Sequence, residues 1–224
     1  MVTDMTDNKT KKAYALSRNV YDDTLTQTKW WSKLYIRCFW GGVDDVAIAN
    51  HVLDMIPDDF AGKLLDVPVG TGVFTAGRYQ SWPKAQIVGL DYSRDMLDQA
   101  KKRFSFHQLE NTICIQGDVG NLVFDDEEFD VVLSMNGFHA FPDKERAFSE
   151  TARVLKKGGI FCGCSYIKGQ NRRTDLLVNA VLAPKGWFAP PFQSLDELRT
   201  KLAARYAKVE IQNQQSMACY RCVK

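Results

Sequence analysis

The sequence has no long hydrophobic run, no strong excess of charge of either sign and no regular cysteine pattern. No apolar stretch approaches the ~18 residues of a membrane-spanning helix and no charged-then-apolar leader opens the chain, so we expect neither a membrane span nor a secretory signal. The 29 basic and 27 acidic residues leave a formal charge of +2, which predicts no nucleic-acid-binding surface. Six irregularly spaced cysteines indicate reduced thiols and a cytoplasmic protein.

The 224 residues suffice for one substantial core with an appendage. Residues 1–43 are rich in aromatic side chains, and we interpret them as an N-terminal helical cap or lid. A helix capped by Asp44 or Asp45 then begins the main domain, residues 44–224, and ends at Pro57. Its predicted apolar face consists of Val46, Ala49, Val52, Leu53 and Ile56.

After this helix, short apolar runs alternate with amphipathic segments, which is typical of βαβ units and a parallel sheet covered on both faces. Strands are predicted near 63–67, 86–90, 112–116, 129–134 and 159–165. Helices are predicted near 73–81, 94–106, 144–156, 171–183 and 194–205. Two further strands, Lys208–Gln212 and Met217–Val223, are expected to form a terminal hairpin, which a nicotinamide-binding doubly wound domain does not usually have.

The main motif is Leu65-Asp66-Val67-Pro68-Val69-Gly70-Thr71-Gly72, an apolar strand that runs into two glycines and then a helical segment. Such a turn leaves free backbone N–H groups at the carboxyl end of a parallel sheet, where nucleotide-like ligands bind. The glycine pair alone is a weak signal, because many tight turns use one.

Three carboxylates strengthen the signal, because each ends a successive predicted strand. Asp66 ends the first, Asp91 ends the second 19 residues after Gly72, and Asp118 follows Gly117 at the third. A carboxylate at the position of Asp91 can accept both hydroxyls of a ribose. Each one alone has a structural alternative, as a partner of backbone N–H groups, a helix cap or a turn residue. All three together are much less readily explained in this way.

These segments, with Gly89-Leu90-Asp91-Tyr92-Ser93, Phe129-Asp130-Val131-Val132 and Leu155-Lys156-Lys157-Gly158-Gly159, resemble the motifs of class I S-adenosylmethionine-dependent methyltransferases. The closest resemblance is to the small-molecule group that includes the ubiquinone/menaquinone C-methyltransferase-like enzymes, over roughly residues 45–223. It implies a Rossmann-like α/β fold, with a seven-stranded, mostly parallel sheet, an antiparallel last strand and helices on both faces. One departure is Pro68, which stands where the family has its first glycine.

The resemblance also implies a role for each matching residue. Val67, Pro68, Gly70 and Gly72 pass under the methionine part of S-adenosylmethionine, and Asp66 lies near its amino group. Asp91 holds the ribose, Tyr92 and Met96 flank the adenine, and Gly117, Asp118 and Val119 read its edge. Asn136 and Gly137 face the sulfonium, while Tyr14 and Tyr21 reach the carboxylate end of the cofactor.

The implied reaction is in-line transfer of a methyl group to a small molecule, with S-adenosylhomocysteine as the other product. His139 is a candidate general base, with a structural histidine as the equal alternative. Aromatic residues predict an apolar or aromatic acceptor, whose pocket would contain Trp31, Trp40, His139, Trp187 and Phe188. Cys162 and Cys164 are expected to be small apolar residues on one strand face, and no metal site is predicted.

Two other functions remain open from the sequence. An NAD(P)-dependent oxidoreductase shares the glycine turn and the later acid, but it leaves Asp66 and Asp118 unexplained. A catalytically silent cofactor-binding protein is kept open by Pro68. Nucleic-acid methylation is less favoured, because the fourth strand is followed by Ser134-Met135-Asn136-Gly137 and not by the amino-methylating signature of Asn or Asp, two prolines and an aromatic. The sequence does not indicate the oligomeric state.

Overall fold

The computed structural model describes residues 44–224. The predicted cap, with Tyr14, Tyr21, Trp31 and Trp40, lies outside the described residues. The strands are β1 (Lys63–Asp66), β2 (Gln86–Asp91), β3 (Thr112–Gln116), β4 (Phe129–Met135), β5 (Leu155–Tyr166), β6 (Lys208–Gln214) and β7 (Met217–Val223). The α-helices are α1 (Asp45–Leu53), α2 (Ala76–Tyr79), α3 (Arg94–Phe106), α4 (Lys144–Val154), α5 (Arg172–Leu177) and α6 (Leu195–Ala203).

The seven strands form one sheet in the order β3-β2-β1-β4-β5-β7-β6. The first five strands run parallel to one another, and β7 lies antiparallel between β5 and β6. The predicted sheet, with its antiparallel last strand, is confirmed. Because the chain leaves β1 toward β2 on one side and returns to β4 on the other, the carboxyl end of β1 lies at the topological switch point, where open α/β sheets bind ligands.

Buried apolar side chains form two layers, one on each face of the sheet. Leu64 belongs to one layer and Leu65 to the other, as the two-residue period of a strand requires. Residues of α1 and α3 pack in the first layer, whereas α4 and α6 pack in the second. The predicted placement of helices on both faces is therefore confirmed, and it explains why the central strands are apolar throughout.

Several element boundaries differ from the prediction. The helix expected over 73–81 is the single turn Ala76–Tyr79, because the glycine turn continues as far as Thr75. Val46, predicted on the apolar face of α1, is 39% exposed, and Ile48 is buried there in its place. The fifth strand begins at Leu155, directly after α4, because Leu155 pairs with Phe129. Beyond α5 the chain makes a π-helical turn, Val178–Leu182.

Within residues 44–224, no helix is both long and apolar enough to cross a bilayer. Cys162 and Cys164 lie in the same apolar layer, as the strand period predicts. The described part of the chain has no group of three or more His, Cys, Asp or Glu side chains placed to hold a metal ion.

Candidate active site

The glycine turn after β1 is built from backbone hydrogen bonds to the neighbouring strands. The N–H of Val67 donates to the carbonyl of Leu133 and that of Val69 donates to the carbonyl of Leu90, each at 2.9 Å. Gly70 and Gly72 have φ angles of +55° and +68°, a region that favours glycine. A Cβ at Gly72 would also lie 2.6 Å from the ring of Phe104, so this position requires glycine on both grounds.

A cavity of about 410 Å³ opens at this turn, a size suited to a small-molecule ligand. It lies at the carboxyl ends of β1, β2, β3 and β4, where the sequence placed the site. The cofactor-binding residues predicted within the described part of the chain line it, except Gly137: Asp66, Val67, Pro68, Gly70, Gly72, Asp91, Tyr92, Met96, Gly117, Asp118, Val119 and Asn136. The structure thus brings together residues that were predicted from separate motifs.

Asp66 is almost fully buried, at 1% exposure, and only one of its oxygens is satisfied. Oδ2 accepts a hydrogen bond from the Tyr79 hydroxyl at 2.7 Å, while Oδ1 has no hydrogen-bond partner among the described residues. Burial raises the pKa of Asp66 to about 7; the hydrogen bond from Tyr79 and the nearby Thr75 hydroxyl oppose this shift, whereas the charge of Asp91 adds to it. A buried acceptor without a partner is unfavourable unless a ligand supplies a donor.

Asp91 is held by backbone amides at the end of β2. Its Oδ2 accepts from the N–H of Gly70 at 2.9 Å and its Oδ1 accepts from the N–H of Ser93 at 2.8 Å. Burial raises the pKa of Asp91 to about 6, and the hydrogen bonds from these amides oppose the shift. Each carboxylate oxygen has a second lone pair, so the group can still accept hydroxyl hydrogens from a ligand.

Asp118 and Asn136 hold the ends of β3 and β4. Asp118 Oδ1 accepts from the N–H of Gly120 at 2.8 Å, which fixes the turn at the cavity edge. Asn136 has a φ angle of +56°, its N–H donates to the carbonyl of Cys164 at 2.9 Å, and the Cys164 thiol lies 3.7 Å from its Oδ1. Asn136 is thereby fixed in a turn that presents it to the cavity.

Gly137 does not line the cavity, and it lies behind the cavity wall. A Cβ built there would lie 2.5 Å from Cδ of Pro68 and 2.7 Å from Cζ of Phe141. The proline at the first glycine position therefore packs against Gly137, and the predicted contact of Gly137 with the sulfonium stays a prediction.

His139 does not line the cavity either. Its Nδ1 accepts a hydrogen bond from the backbone N–H of Tyr166 at 3.1 Å, and its ring stacks on Phe188 with centroids 4.1 Å apart. Burial, with a smaller contribution from the charge of Lys144, lowers the pKa of His139 to about 3. The ring is therefore neutral with its proton on Nε2, which is a donor and not a base. This geometry favours the structural alternative over the general base.

Trp187 and Phe188 also lie apart from the cavity lining. Phe188 is buried between His139 and the edge of the Tyr166 ring, with centroids 5.6 Å apart for the latter pair. Trp187 packs beneath the ammonium of Lys185, 5.3 Å from the ring centroid. Both residues therefore pack within the segment that follows α5 and do not line this cavity, and their part in an acceptor pocket stays a prediction.

Other cavity residues were missed by the sequence prediction. Phe74 and Thr75 of the glycine turn, Met135 at the end of β4, and Phe141 and Pro142 beyond it all line the cavity. The hydroxyl of Thr75 is buried beside Asp66 and Tyr79, and its proximity lowers the pKa of both groups. Thr75 is close to a predicted motif, but the sequence gives no signal that the segment after Gly137 folds back to form a wall.

Comparison with known proteins finds similarity to methyltransferases. Residues 64–159 match the family described as a methyltransferase domain. The chain is 38% identical over 107 residues to the ubiquinone/menaquinone biosynthesis C-methyltransferase of Desulfotalea psychrophila, covering 48% of this chain and 42% of that protein. It is 38% identical over 112 residues to a demethylmenaquinone methyltransferase of Staphylococcus epidermidis, covering 50% of this chain and 46% of that protein.

Among solved structures, phosphoethanolamine N-methyltransferase 2 of Haemonchus contortus, in complex with S-adenosyl-L-methionine, superposes with a TM-score of 0.66. It is 16% identical and covers 79% of this chain and 52% of that one, so this likeness concerns the fold. Residues 64–159 thus match a methyltransferase domain, and this match, with the named relatives, confirms the predicted resemblance to class I S-adenosylmethionine-dependent small-molecule methyltransferases, together with the predicted enzyme class and cofactor. Since the matches span less than half the length of the two curated relatives, the activity of the whole chain is a proposal.

The cavity also fits S-adenosylmethionine on structural grounds. It has an unpartnered carboxylate oxygen at Asp66 for a cationic amine and a second carboxylate at Asp91 for hydroxyl donors. It also has a glycine turn that lets the ligand approach the backbone. The chemistry of these groups suits a ligand that carries an ammonium group, a ribose and a flat base.

Proposed function

We propose that this chain transfers the methyl group of S-adenosylmethionine to a small apolar or aromatic molecule by in-line displacement. The observation that carries the proposal is the placement of Asp66, Asp91 and Asp118 around one cavity, each at or just beyond the end of a successive strand. When bound, the cofactor supplies a methyl group already activated on a sulfonium. The protein's main tasks are then to hold both reactants in line and to exclude water.

The cofactor would lie along the strand ends in the order of the sheet. Asp118 and Val119 would meet the edge of the adenine, Tyr92 and Met96 would cover its faces, and Asp91 would accept from the ribose. The glycine turn would pass under the methionine part, with Asp66 at its amino group. Asn136 would stand nearest to the sulfonium. Tyr14 and Tyr21 remain predicted contacts of the carboxylate end of the cofactor.

The acceptor would then approach at the β4 side of the cavity. Met135 at the end of β4 and Phe141 beyond it line this side of the cavity with apolar and aromatic surface, and Phe74 of the glycine turn lines the same cavity. Aromatic faces also attract a cation such as a sulfonium. One curated relative is named for ubiquinone/menaquinone biosynthesis and the other for demethylmenaquinone, which supports an aromatic acceptor of the quinol type. Trp31 and Trp40 remain predicted acceptor contacts in the N-terminal segment.

A general base is required only where the acceptor must lose a proton before or during transfer. His139 is unsuited to this role because its Nδ1 already accepts from the backbone of Tyr166. An acceptor that is ionised in solution, such as a phenolate, or one that attacks through a neutral atom, would need alignment alone. Alignment can supply effective molarities of about 10⁵ M or more.

Calorimetry provides the first test. We expect S-adenosylhomocysteine to bind and NADH not to bind; the reverse result would favour the oxidoreductase. The second test incubates the protein with methyl-labelled S-adenosylmethionine and a panel of quinols that lack a ring methyl group, with Asp91→Ala as the control. Label transfer that requires Asp91 supports the proposal. Binding of the cofactor without transfer to any member of the panel would favour a silent cofactor-binding protein.

A further inference from the structure

We propose that Tyr79 is a positioning residue that orients the Asp66 carboxylate and favours its ionised form, so that this carboxylate receives the ammonium group of the bound cofactor. This inference rests on the proposed function for the identity of the ligand. It concerns a residue of α2 that is outside the glycine motif and is not part of the cavity lining.

The geometry assigns a different partner to each oxygen of Asp66. The Tyr79 hydroxyl donates to Oδ2 at 2.7 Å from the core side, since Tyr79 is completely buried. Oδ1 has no partner among the described residues, although Asp66 lines the cavity. One oxygen is therefore held by Tyr79, and the other is buried at the cavity wall without a hydrogen bond from the described residues, beside the Thr75 hydroxyl.

Tyr79 is itself rigidly placed, which makes it suitable as a positioning group. Its ring packs against Phe104 at 5.8 Å and Trp82 at 6.1 Å between centroids. Phe104 in turn lies beneath Gly72, where it would clash with any side chain. The same aromatic packing thus supports both the glycine turn and the hydroxyl behind Asp66. A side chain locked in this way holds its hydrogen bond at little further entropic cost.

A phenylalanine at position 79 would fill the same space, so packing alone does not explain the Tyr79 hydroxyl. Burial makes the ionised form of Asp66 unfavourable and raises its pKa to about 7. A donor to the carboxylate favours the ionised form, and the hydrogen bond from Tyr79 opposes this rise. An ionised, oriented carboxylate can then form a charge-assisted hydrogen bond with an ammonium group.

The test compares two ligands that differ in the part that Asp66 is proposed to hold. S-Adenosylhomocysteine carries the amino acid portion, whereas 5′-methylthioadenosine has the same adenosyl group without it. In Tyr79→Phe, calorimetry should show that the affinity for S-adenosylhomocysteine falls about tenfold or more, because the carboxylate loses a charge-assisted hydrogen bond. The affinity for 5′-methylthioadenosine should stay within about twofold, because it makes no contact with Asp66. The pH at which S-adenosylhomocysteine affinity is half lost should also rise.

Tyr220→Phe is the matched control. Tyr220 is a fully buried tyrosine of β7 whose hydroxyl has no hydrogen-bond partner among the described residues. Loss of the Tyr220 hydroxyl should leave the affinities for S-adenosylhomocysteine and 5′-methylthioadenosine unchanged. In an Asp66→Asn background, Tyr79→Phe should no longer change the ratio of the two affinities, because the carboxylate on which it acts is absent.

Equal weakening of both ligands in Tyr79→Phe would show that the residue acts only through the fold, and no weakening of either would show that the hydroxyl is dispensable. Either result would overturn the inference while leaving the proposed function intact. Failure of the wild-type protein to bind either ligand would instead overturn the proposed function. If Tyr79→Phe does not fold, 3-fluorotyrosine can be placed at position 79, because it keeps the shape of tyrosine and is a stronger hydrogen-bond donor. The pH at which S-adenosylhomocysteine affinity is half lost should then fall. If that pH does not change, the inference is overturned.

Discussion

The backbone N–H of Gly70 donates to Oδ2 of Asp91 at 2.9 Å, so the glycine turn after β1 is joined to the carboxylate at the end of β2. The second oxygen of Asp91 accepts from the N–H of Ser93, where α3 begins. The carboxylate therefore fixes two loops as well as facing the cavity. Gly70 and Asp91, which are 21 residues apart, are thus joined by a hydrogen bond. A substitution at Asp91 should therefore change both ligand binding and the conformation of the glycine turn.

Asp91→Ala should reduce the affinity for S-adenosylhomocysteine by about a hundredfold or more, because a charged acceptor for two hydroxyls is lost and the turn at Gly70 loses its anchor. The fold should survive, with the melting temperature changed by only a few degrees, since the sheet does not depend on this side chain. Calorimetry and thermal melting measure the two effects. Asp98→Ala, on the exposed side of α3, is the control and should change neither. Unchanged affinity in Asp91→Ala would count against the cofactor site.

Binding of S-adenosylhomocysteine should weaken as the pH falls below about 7. The free protein has Asp66 with a pKa of about 7 and Asp91 with a pKa of about 6, both raised by burial. A protonated carboxyl group cannot pair with an ammonium, so ligand binding is linked to loss of a proton and lowers the pKa of the site. Titration calorimetry from pH 5 to 8, in buffers of different ionisation enthalpy, should show proton release below about pH 7. A pH-independent affinity over this range would contradict the assignment.

Asp66→Asn should make the free protein more stable at pH 8 while it weakens ligand binding. The folded pKa of Asp66, about 7, lies above its ordinary value of 3.8, so the folded state holds the extra proton and its stability falls as pH rises between these two values. A neutral amide avoids this loss, and we expect an increase of a few degrees in the melting temperature. The increase should disappear near pH 4, where Asp66 is protonated in the wild type. Asp98→Asn serves as the surface control.

His139→Phe should destabilise the fold without removing an ionisation from the pH–rate profile. The variant keeps a ring against Phe188 but loses the acceptor for the N–H of Tyr166, at a cost of about 1–3 kcal/mol and several degrees in melting temperature. The affinity for S-adenosylhomocysteine should stay within about twofold. A variant with an unchanged melting temperature that loses one limb of the pH–rate profile would restore His139 as a base.

The parts of the site that could be predicted lie in short, contiguous motifs. Two glycines that follow an apolar strand indicate a turn with left-handed backbone, and Gly70 and Gly72 adopt it. Parallel strands bring their carboxyl ends to one edge, so Asp66, Asp91 and Asp118 had to lie near one another once the strand order was right. In both cases the local sequence carries the physical cause.

The parts that could not be predicted depend on tertiary packing. Phe141 lines the cavity because the chain after Gly137 folds back, and no local pattern specifies that turn. Tyr79 lies in a helix of only one turn, and its hydrogen bond to Asp66 joins residues that the local sequence does not connect. His139 follows the same strand end as Asn136, yet it is drawn into the core by Phe188 and Tyr166. Proximity to the end of β4 correctly predicted that Asn136 lies at the cavity. The same criterion wrongly placed His139 there, because it takes no account of packing.

Pro68→Gly, which restores the glycine of the family motif, should leave the affinity for S-adenosylhomocysteine within about threefold. The hydrogen bonds of the turn come from the N–H groups of Val69 and Gly70, and Pro68 contributes the surface that packs on Gly137. Stability should fall by about 0.4–1 kcal/mol, because glycine adds freedom to the unfolded chain. In contrast, Gly137→Ala should weaken binding, since its methyl group would press on Pro68 and Phe141 in the cavity wall. A gain of a hundredfold or more in Pro68→Gly would instead show that the proline impairs the site, as expected of a silent relative.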